Sequence, residues 1–331
     1  MKQTSLIGCA RIIVEKMSKI SKDEIVAIIT DYNYPREITN AIFEYSLSLG
    51  SETATVLTTP PKGGFISGDI PKIAKATADS ADVIFACTST SFPIPVRTDL
   101  VNKGKKFMLM HHLSKDLFLR TVPIDVDLLR RRAEKLVKIL PKTEEVHMTS
   151  RGGSDIKFSL KDCKIGLIYD GVCNPGEFDA VPSGVVDALP VPDTGNGIIV
   201  LDGSLSGYGL IRTPMRITVK DGKFINIEGG PEAKWLDKAM KKSLSEGEKN
   251  ANHWAEFLIG LNPNANLTRQ GSLLEDERQL CGINIGWGRD SHFGGTFESK
   301  FHGDGHLIDA TVTLDGIKYI DNGKPTKELF G

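Results

Sequence analysis

Up to about residue 150 the chain alternates short apolar runs with amphipathic stretches, and beyond that point the alternation stops. Residues 24–30 (EIVAIIT), 53–57, 82–87 (DVIFAC) and 106–110 (KFMLM) read as strands, and most are apolar enough for burial on both faces. Between them, 36–49 places Ile38, Ala41, Ile42 and Tyr45 at helical spacing, and 71–81 is a second helix. Strand–helix alternation of this kind implies a mainly parallel sheet with helices on both faces, a doubly wound layout. Thr30-Asp31-Tyr32-Asn33, after the first strand, has no glycine, so nothing points to a dinucleotide.

The second half has a different style. Residues 146–150 and 155–160, joined by Arg151-Gly152-Gly153-Ser154, read as a hairpin. Strands at 197–201, 215–220 and 223–228 are separated by Asp-Gly turns, and 231–244 is a helix with Trp235, Leu236, Ala239 and Met240 on its inner face. A chain of 331 residues exceeds the usual limit of one core. The expected organisation is an α/β doubly wound domain over 1–150 and an α+β metal-binding domain over 151–331. A net charge of −1 argues against nucleic acid or an anionic membrane as partner. Arg130-Arg131-Arg132 belongs to the solvated face of a helix over 127–140. Five scattered cysteines with no C-x-x-C pair point to a reducing, cytoplasmic location, and no apolar run is long enough to span a bilayer.

Chemistry concentrates in Phe301-His302-Gly303-Asp304-Gly305-His306-Leu307-Ile308-Asp309. As extended chain it puts His302, Asp304 and His306 on one face, with only glycines pointing the other way. Imidazole, carboxylate and imidazole in a row suit Fe(II), Zn(II) or Mn(II); a solvated turn is the alternative. His111 and His112 follow the strand at 106–110, where open parallel sheets bind ligands, and are candidates for proton transfer or for a cap and an exposed neighbour. Glu177 is a substrate-binding carboxylate or a turn residue. His253 and Glu256 share a face if their segment starts as a helix. In the glycine-rich 284–295 segment, Trp287, Arg289 and His292 could frame a flat or anionic ligand.

Several ordered landmarks carry a family resemblance. They are Pro175-Gly176-Glu177-Phe178, Thr194-Gly195-Asn196-Gly197 running on to Leu201-Asp202-Gly203-Ser204, Ala255-Glu256-Phe257 leading to Asn262-Pro263, Leu274-Glu275-Asp276-Glu277, and Phe301-His302-Gly303-Asp304-Gly305. Together they resemble the aminopeptidase T (thermophilic leucyl aminopeptidase) superfamily over most of the chain, closest to its 2,5-dihydroxypyridine 5,6-dioxygenase branch. The aminopeptidases hold two metals, and the resemblance implies a ligand Glu where Val185 stands and a ligand His where Asn284 stands. With Glu256, His302 and Asp304 kept, a two-metal hydrolytic site is dismantled and a single-metal site survives. The dioxygenase branch implies Fe(II) held by two His and one carboxylate, with positions open for substrate and O₂. His302 and Asp304 match; the other imidazole is expected near Glu256, where His253 is available, and Glu256 itself as ligand would favour a hydrolase or another metal. No histidine occurs in 178–191, just after Glu177, where the branch implies some near the substrate; this leaves room for a different substrate.

The resulting expectation is a homo-oligomeric, mononuclear non-haem Fe(II) dioxygenase that uses O₂ to open a hydroxylated aromatic or N-heteroaromatic small molecule. His111 or His112 would move protons, with His306 as the rival. The alternative is an aminopeptidase T-like metal-dependent hydrolase with an altered site holding Zn or Mn. A binding protein that has lost activity is a third class, against which the His302, Asp304 and His306 row argues.

Overall fold

The computed structural model describes residues 5–266 and 272–330. The fold is mixed α/β, with one parallel sheet and two antiparallel ones. In the parallel sheet the strand order is Glu52–Thr58, Ile25–Asp31, Val83–Cys87, Lys106–Leu109 and Phe178–Ala180. Ile25–Asp31 is buried from its second residue onward and Val83–Cys87 throughout, as continuous apolar runs require when flanked on both sides. Glu52–Thr58 lies at the sheet's edge and alternates exposed with half-buried residues. Helices Arg36–Ser48, Lys72–Ser80, Ile94–Asn102 and Lys115–Thr121 connect or follow the first four strands.

The chain forms two compact units, Met1–Arg130 with Tyr169–Ser183, and Arg131–Ile168 with Gly184–Gly331. This division does not coincide with a single boundary at residue 150. Phe178–Ala180 lies far along the chain yet pairs in parallel with Lys106–Leu109, Phe107 opposite Phe178 and Leu109 opposite Ala180. A three-residue strand after a turn carries too little local pattern to reveal that pairing.

The second unit contains both antiparallel sheets. One runs Lys223–Glu228, Met215–Lys220, Asn196–Leu201, Asp155–Phe158, Val146–Ser150, Ala310–Leu314, Ile317–Asp321, Lys324–Pro325. The other runs Gly209–Leu210, Ser204–Leu205, His302–Leu307, Ile283–Gly288, Trp254–Gly260, Val185–Ala188, Ile165–Tyr169. Residues 254–260 are a fully buried strand, so the helical premise that put His253 and Glu256 on one face fails. Helix Pro231–Ser245 buries Ala233, Leu236 and Met240, but Trp235 is 41% exposed and stacks edge-on against Tyr208 instead of facing inward.

Close packing explains the glycines of the His302–Leu307 strand. A Cβ on Gly305 would lie 2.4 Å from Leu201 Cδ1, and one on Gly303 would lie 2.9 Å from the Trp287 indole. The side free of side chains is therefore filled by the protein's own core and not by a ligand. Gly288 is the tightest turning point in the neighbouring strand: φ is +89° and a Cβ would sit 2.1 Å from the Phe301 carbonyl oxygen. Gly104 has a similar φ of +82° with nothing within 4 Å. Gly104→Ala should cost about 1–2 kcal/mol from backbone strain alone, whereas Gly288→Ala should cost clearly more. Urea denaturation midpoints of the two variants measure the difference, and equal shifts would contradict the packing.

Candidate metal centre

Strand register assembles the site. Across the antiparallel sheet Glu256 stands opposite Gly286, and Gly286 opposite Asp304. Directly opposed residues point to the same face, so two carboxylates flank a glycine. A Cβ on Gly286 would lie 2.8 Å from Asp304 Oδ1 and 2.8 Å from Glu256 Cβ. The missing side chain leaves the gap between the acids. Gly288 stands opposite His302, which brings that imidazole to the same face.

His302 is fixed from both sides. Its Nδ1 is 3.0 Å from the Arg289 carbonyl oxygen, which assigns the proton to Nδ1 and leaves the Nε2 lone pair available. Nε2 is 3.4 Å from Asp304 Oδ2, and Nδ1 is 3.7 Å from Glu256 Oε1. Burial pulls the His302 pKa down, but Asp304 and the Arg289 carbonyl outweigh it and the net shift is upward. His292, in the short 3₁₀ turn Ser291–Phe293, brings its ring to 5.3 Å from that of His302, at 90°. Glu256, His292 and His302 each place one ligand atom within 4.8 Å of the others'.

Glu256 is 2% exposed and Asp187 is fully buried. Among the described residues, Glu256 Oε1, Asp304 Oδ1 and both Asp187 oxygens have no hydrogen-bond partner. Burial drives the Glu256 carboxyl well above its usual range, reinforced by Asp187, Asp304 and Asp290. Asp187 is raised likewise, by burial and then by Asp304; the Phe257 N–H offsets part of this without reaching hydrogen-bond geometry. Asp290 is pushed up to about 6, chiefly by burial, while its Oδ1 accepts the Phe297 N–H at 2.6 Å. Crowded carboxylates with bare oxygens fit a multivalent cation, which would supply the missing positive charge. Imidazole and carboxylate donors together suit a first-row transition metal.

The sequence-predicted residues separate on inspection. His302, Asp304, Glu256 and His292 come together. His253 does not join the cluster: its ring packs at 4.4 Å on Phe297. Trp287 is opposite Gly303, points to the other face of the sheet and is 1% exposed, in a core contact with Phe224. Arg289 directs its guanidinium to Glu298 at 3.4 Å and contributes its backbone carbonyl to His302. His306 is 1% exposed, its Nδ1 is 3.1 Å from Asn284 Oδ1, and burial lowers its pKa to about 3. A neutral, enclosed imidazole suits a packing role and not proton exchange. Glu177 closes its own turn, accepting hydrogen bonds from the Asn174 N–H and Nδ2.

His111 and His112 lie in the first unit, their rings 4.9 Å apart. His112 has φ +57° and places Nε2 3.0 Å from Ser91 Oγ, and burial lowers its pKa. Sequence reasoning missed Asp187 and Asp290. Asp187 did leave a signal, a lone acid inside the apolar run Val185-Val186-Asp187-Ala188-Leu189.

If the Gly286 gap is the metal seat, Gly286→Ala should lower bound transition metal at least about tenfold with the fold retained, as read by metal analysis and circular dichroism. Unchanged metal content would contradict the geometry.

A family model described as NicX, 2,5-dihydroxypyridine 5,6-dioxygenase, matches residues 11–327. The 2,5-dihydroxypyridine 5,6-dioxygenase of Pseudomonas putida KT2440 is 23% identical over 329 residues, covering 91% of each chain. Among solved structures, the 2,5-dihydroxypyridine dioxygenase from Pseudomonas putida KT2440 shares the fold with a TM-score of 0.78 at 20% identity, over 97% of this chain and 98% of that one. Wild-type AmpT from Thermus thermophilus also shares it, with a TM-score of 0.70 at 11% identity over 97% and 98%.

Proposed function

The chain belongs to the 2,5-dihydroxypyridine 5,6-dioxygenase family, and from that premise we propose a mononuclear Fe(II) enzyme that uses O₂ to open a hydroxylated pyridine or benzene ring. The observation that carries the metal assignment is the convergence of Glu256, His292 and His302 within 4.8 Å, two imidazoles and one carboxylate. That donor set is the one expected of a facial triad. Asp304, 3.4 Å from His302 Nε2, is a further ligand or the group that orients His302. The bound metal would supply Lewis acidity toward a substrate hydroxyl and redox capacity toward O₂.

The protein's own part is positioning and charge control. The Arg289 carbonyl holds the Nδ1 proton of His302 and so leaves the Nε2 lone pair, 3.4 Å from Asp304 Oδ2, for a metal. Glu256 and Asp187 sit in buried surroundings that exclude water and strengthen every charge interaction there. His111 and His112 are proposed as proton carriers on residue type alone, an imidazole being able to give and take a proton, although burial lowers the His112 pKa. The finer architecture, a doubly wound domain plus an α+β metal-binding domain, belongs to the same reading, as do a cytoplasmic location and a homo-oligomer. No helix among the described residues is long and apolar enough to cross a membrane.

One observation favours the hydrolase alternative. Asp187 adds a carboxylate on the strand that carries Val185, two residues on and therefore on the same strand face. A two-metal hydrolytic centre would use such a group.

Metal analysis after anaerobic purification separates the readings. The dioxygenase reading expects one iron per chain, with O₂ uptake in the presence of 2,5-dihydroxypyridine or another dihydroxylated ring. It also expects His302→Ala, His292→Ala and Glu256→Ala each to lose iron with little change in folding. Two zinc or manganese ions per chain with peptidase activity would overturn it. Retention of full iron by His292→Ala would remove His292 from the ligand set.

A further inference from the structure

Asp187 is an acid placed beside the metal centre with no role in holding the fold together. It is fully buried in the strand Val185–Ala188, and among the described residues neither of its carboxyl oxygens has a hydrogen-bond partner. Strand register fixes the face it occupies. Asp187 stands opposite Leu258, and Leu258 shares a face with Glu256 two residues earlier. The carboxyl group therefore lies on the metal-centre face, one strand beyond Glu256. It is not among the residues whose ligand atoms converge within 4.8 Å of one another, which are Glu256, His292 and His302.

The neighbouring strand makes room for this acid. Gly166, in Ile165–Tyr169, has no side chain where a Cβ would lie 2.4 Å from Asp187 Oδ2, 2.8 Å from Leu189 Cδ2 and 3.1 Å from Phe293 Cβ. Phe293 follows His292 in the turn Ser291–Phe293. One short turn thus brings an imidazole to the metal centre and an aromatic residue to the surroundings of Asp187. With buried Leu258 and Leu189 alongside, a lone polar group stands among apolar walls, the usual make-up of a small-molecule site. A carboxyl buried without a partner is costly unless a ligand supplies the missing bond. Its distance from the centre suits a ring. Diagonal neighbours on paired strands, the relation of Asp187 to Glu256, lie about 7–8 Å apart, enough to admit one aromatic ring between two polar contacts.

We propose that Asp187 is a specificity-determining residue, whose carboxyl group accepts a hydrogen bond from an O–H or N–H on the ring edge opposite the hydroxyl seated at the metal centre. This rests on the ring-opening reading above and narrows its substrate to rings with polar groups on opposite edges. Ionised or neutral, a carboxyl group keeps an oxygen that accepts, so the contact does not depend on its protonation.

Anaerobic calorimetric titration of the iron-loaded full chain with 2,5-dihydroxypyridine, and separately with 3-hydroxypyridine, which lacks the second hydroxyl, tests it. The parent should bind the dihydroxylated ring about tenfold or more tightly. Asp187→Ala should abolish that preference and keep its iron. Asp187→Leu, similar in size and without an acceptor, should do the same and carries the test if Asp187→Ala fails to fold. Asp187→Asn keeps one acceptor oxygen and should restore part of the preference. No preference in the iron-loaded parent, or one undiminished in the Ala and Leu variants, overturns the assignment and leaves the ring-opening reading standing. Loss of iron from those variants would make Asp187 a metal ligand and likewise overturn it. A parent chain that takes up no iron fails the ring-opening reading itself, and this contact with it.

Discussion

The carboxyl groups crowded on one face of the second unit's seven-stranded sheet govern how its surroundings are built. Asp187, Asp304 and Asp290 add to the burial that raises the Glu256 carboxyl, and Asp304 and Asp290 do the same to Asp187, yet Glu256, Asp187 and Asp304 present oxygens with no hydrogen-bond partner among the described residues. Such an arrangement is expensive for a metal-free chain, because each ionised carboxylate loses hydration and repels the next. The same arrangement becomes favourable once a cation occupies it. Unpartnered buried carboxyl groups of this kind give up the stability that a packed apolar face would have provided, a pattern common at functional sites.

The rest of the sheet accommodates that choice. Gly286 is absent as a side chain where the acids converge, while Gly303 and Gly305 let Trp287 and Leu201 pack against the opposite face. The His302–Leu307 strand thus shows one face to the site and one to the core. Asp290 accepts the Phe297 N–H and so ties the segment carrying His292 back on itself, which gives a loop residue a defined approach to two strand residues. Asn284 and His306 pair in the next register row, closing the polar face with a satisfied contact.

The first unit presents a different balance. Its parallel sheet is mostly apolar, but Asp179 in Phe178–Ala180 is fully buried; burial pushes its carboxyl up to about 8, and it accepts the Gly171 and Ala180 N–H groups. His111 and His112 follow Lys106–Leu109 with their rings 4.9 Å apart, and His112 has a left-handed φ of +57°. Polar chemistry gathered beyond the carboxyl ends of parallel strands is what the topology favours, since helix starts and loops meet there.

Sequence alone determined the element types wherever a period was long enough to read. The buried runs Ile25–Asp31 and Val83–Cys87, the hairpin Val146–Ser150 with Asp155–Phe158, and the helix Pro231–Ser245 follow from apolar spacing and turn residues. The pairing of His302 with Asp304 on one face followed too, because alternate residues of a strand share a side. Register and loop closure were decided only by the tertiary structure. The row Glu256–Gly286–Asp304 joins three strands that are separated in the chain, and no local pattern encodes their alignment. His253 was the nearest imidazole to Glu256 in sequence, but the segment is a strand, and His292 reached the cluster through a loop instead. Trp287 read as a ligand-framing aromatic because exposure is invisible in one dimension; the side of the sheet it occupies made it core. Asp187 was hidden for the same reason, since burial without a partner is a property of three-dimensional neighbours and not of spacing along the chain.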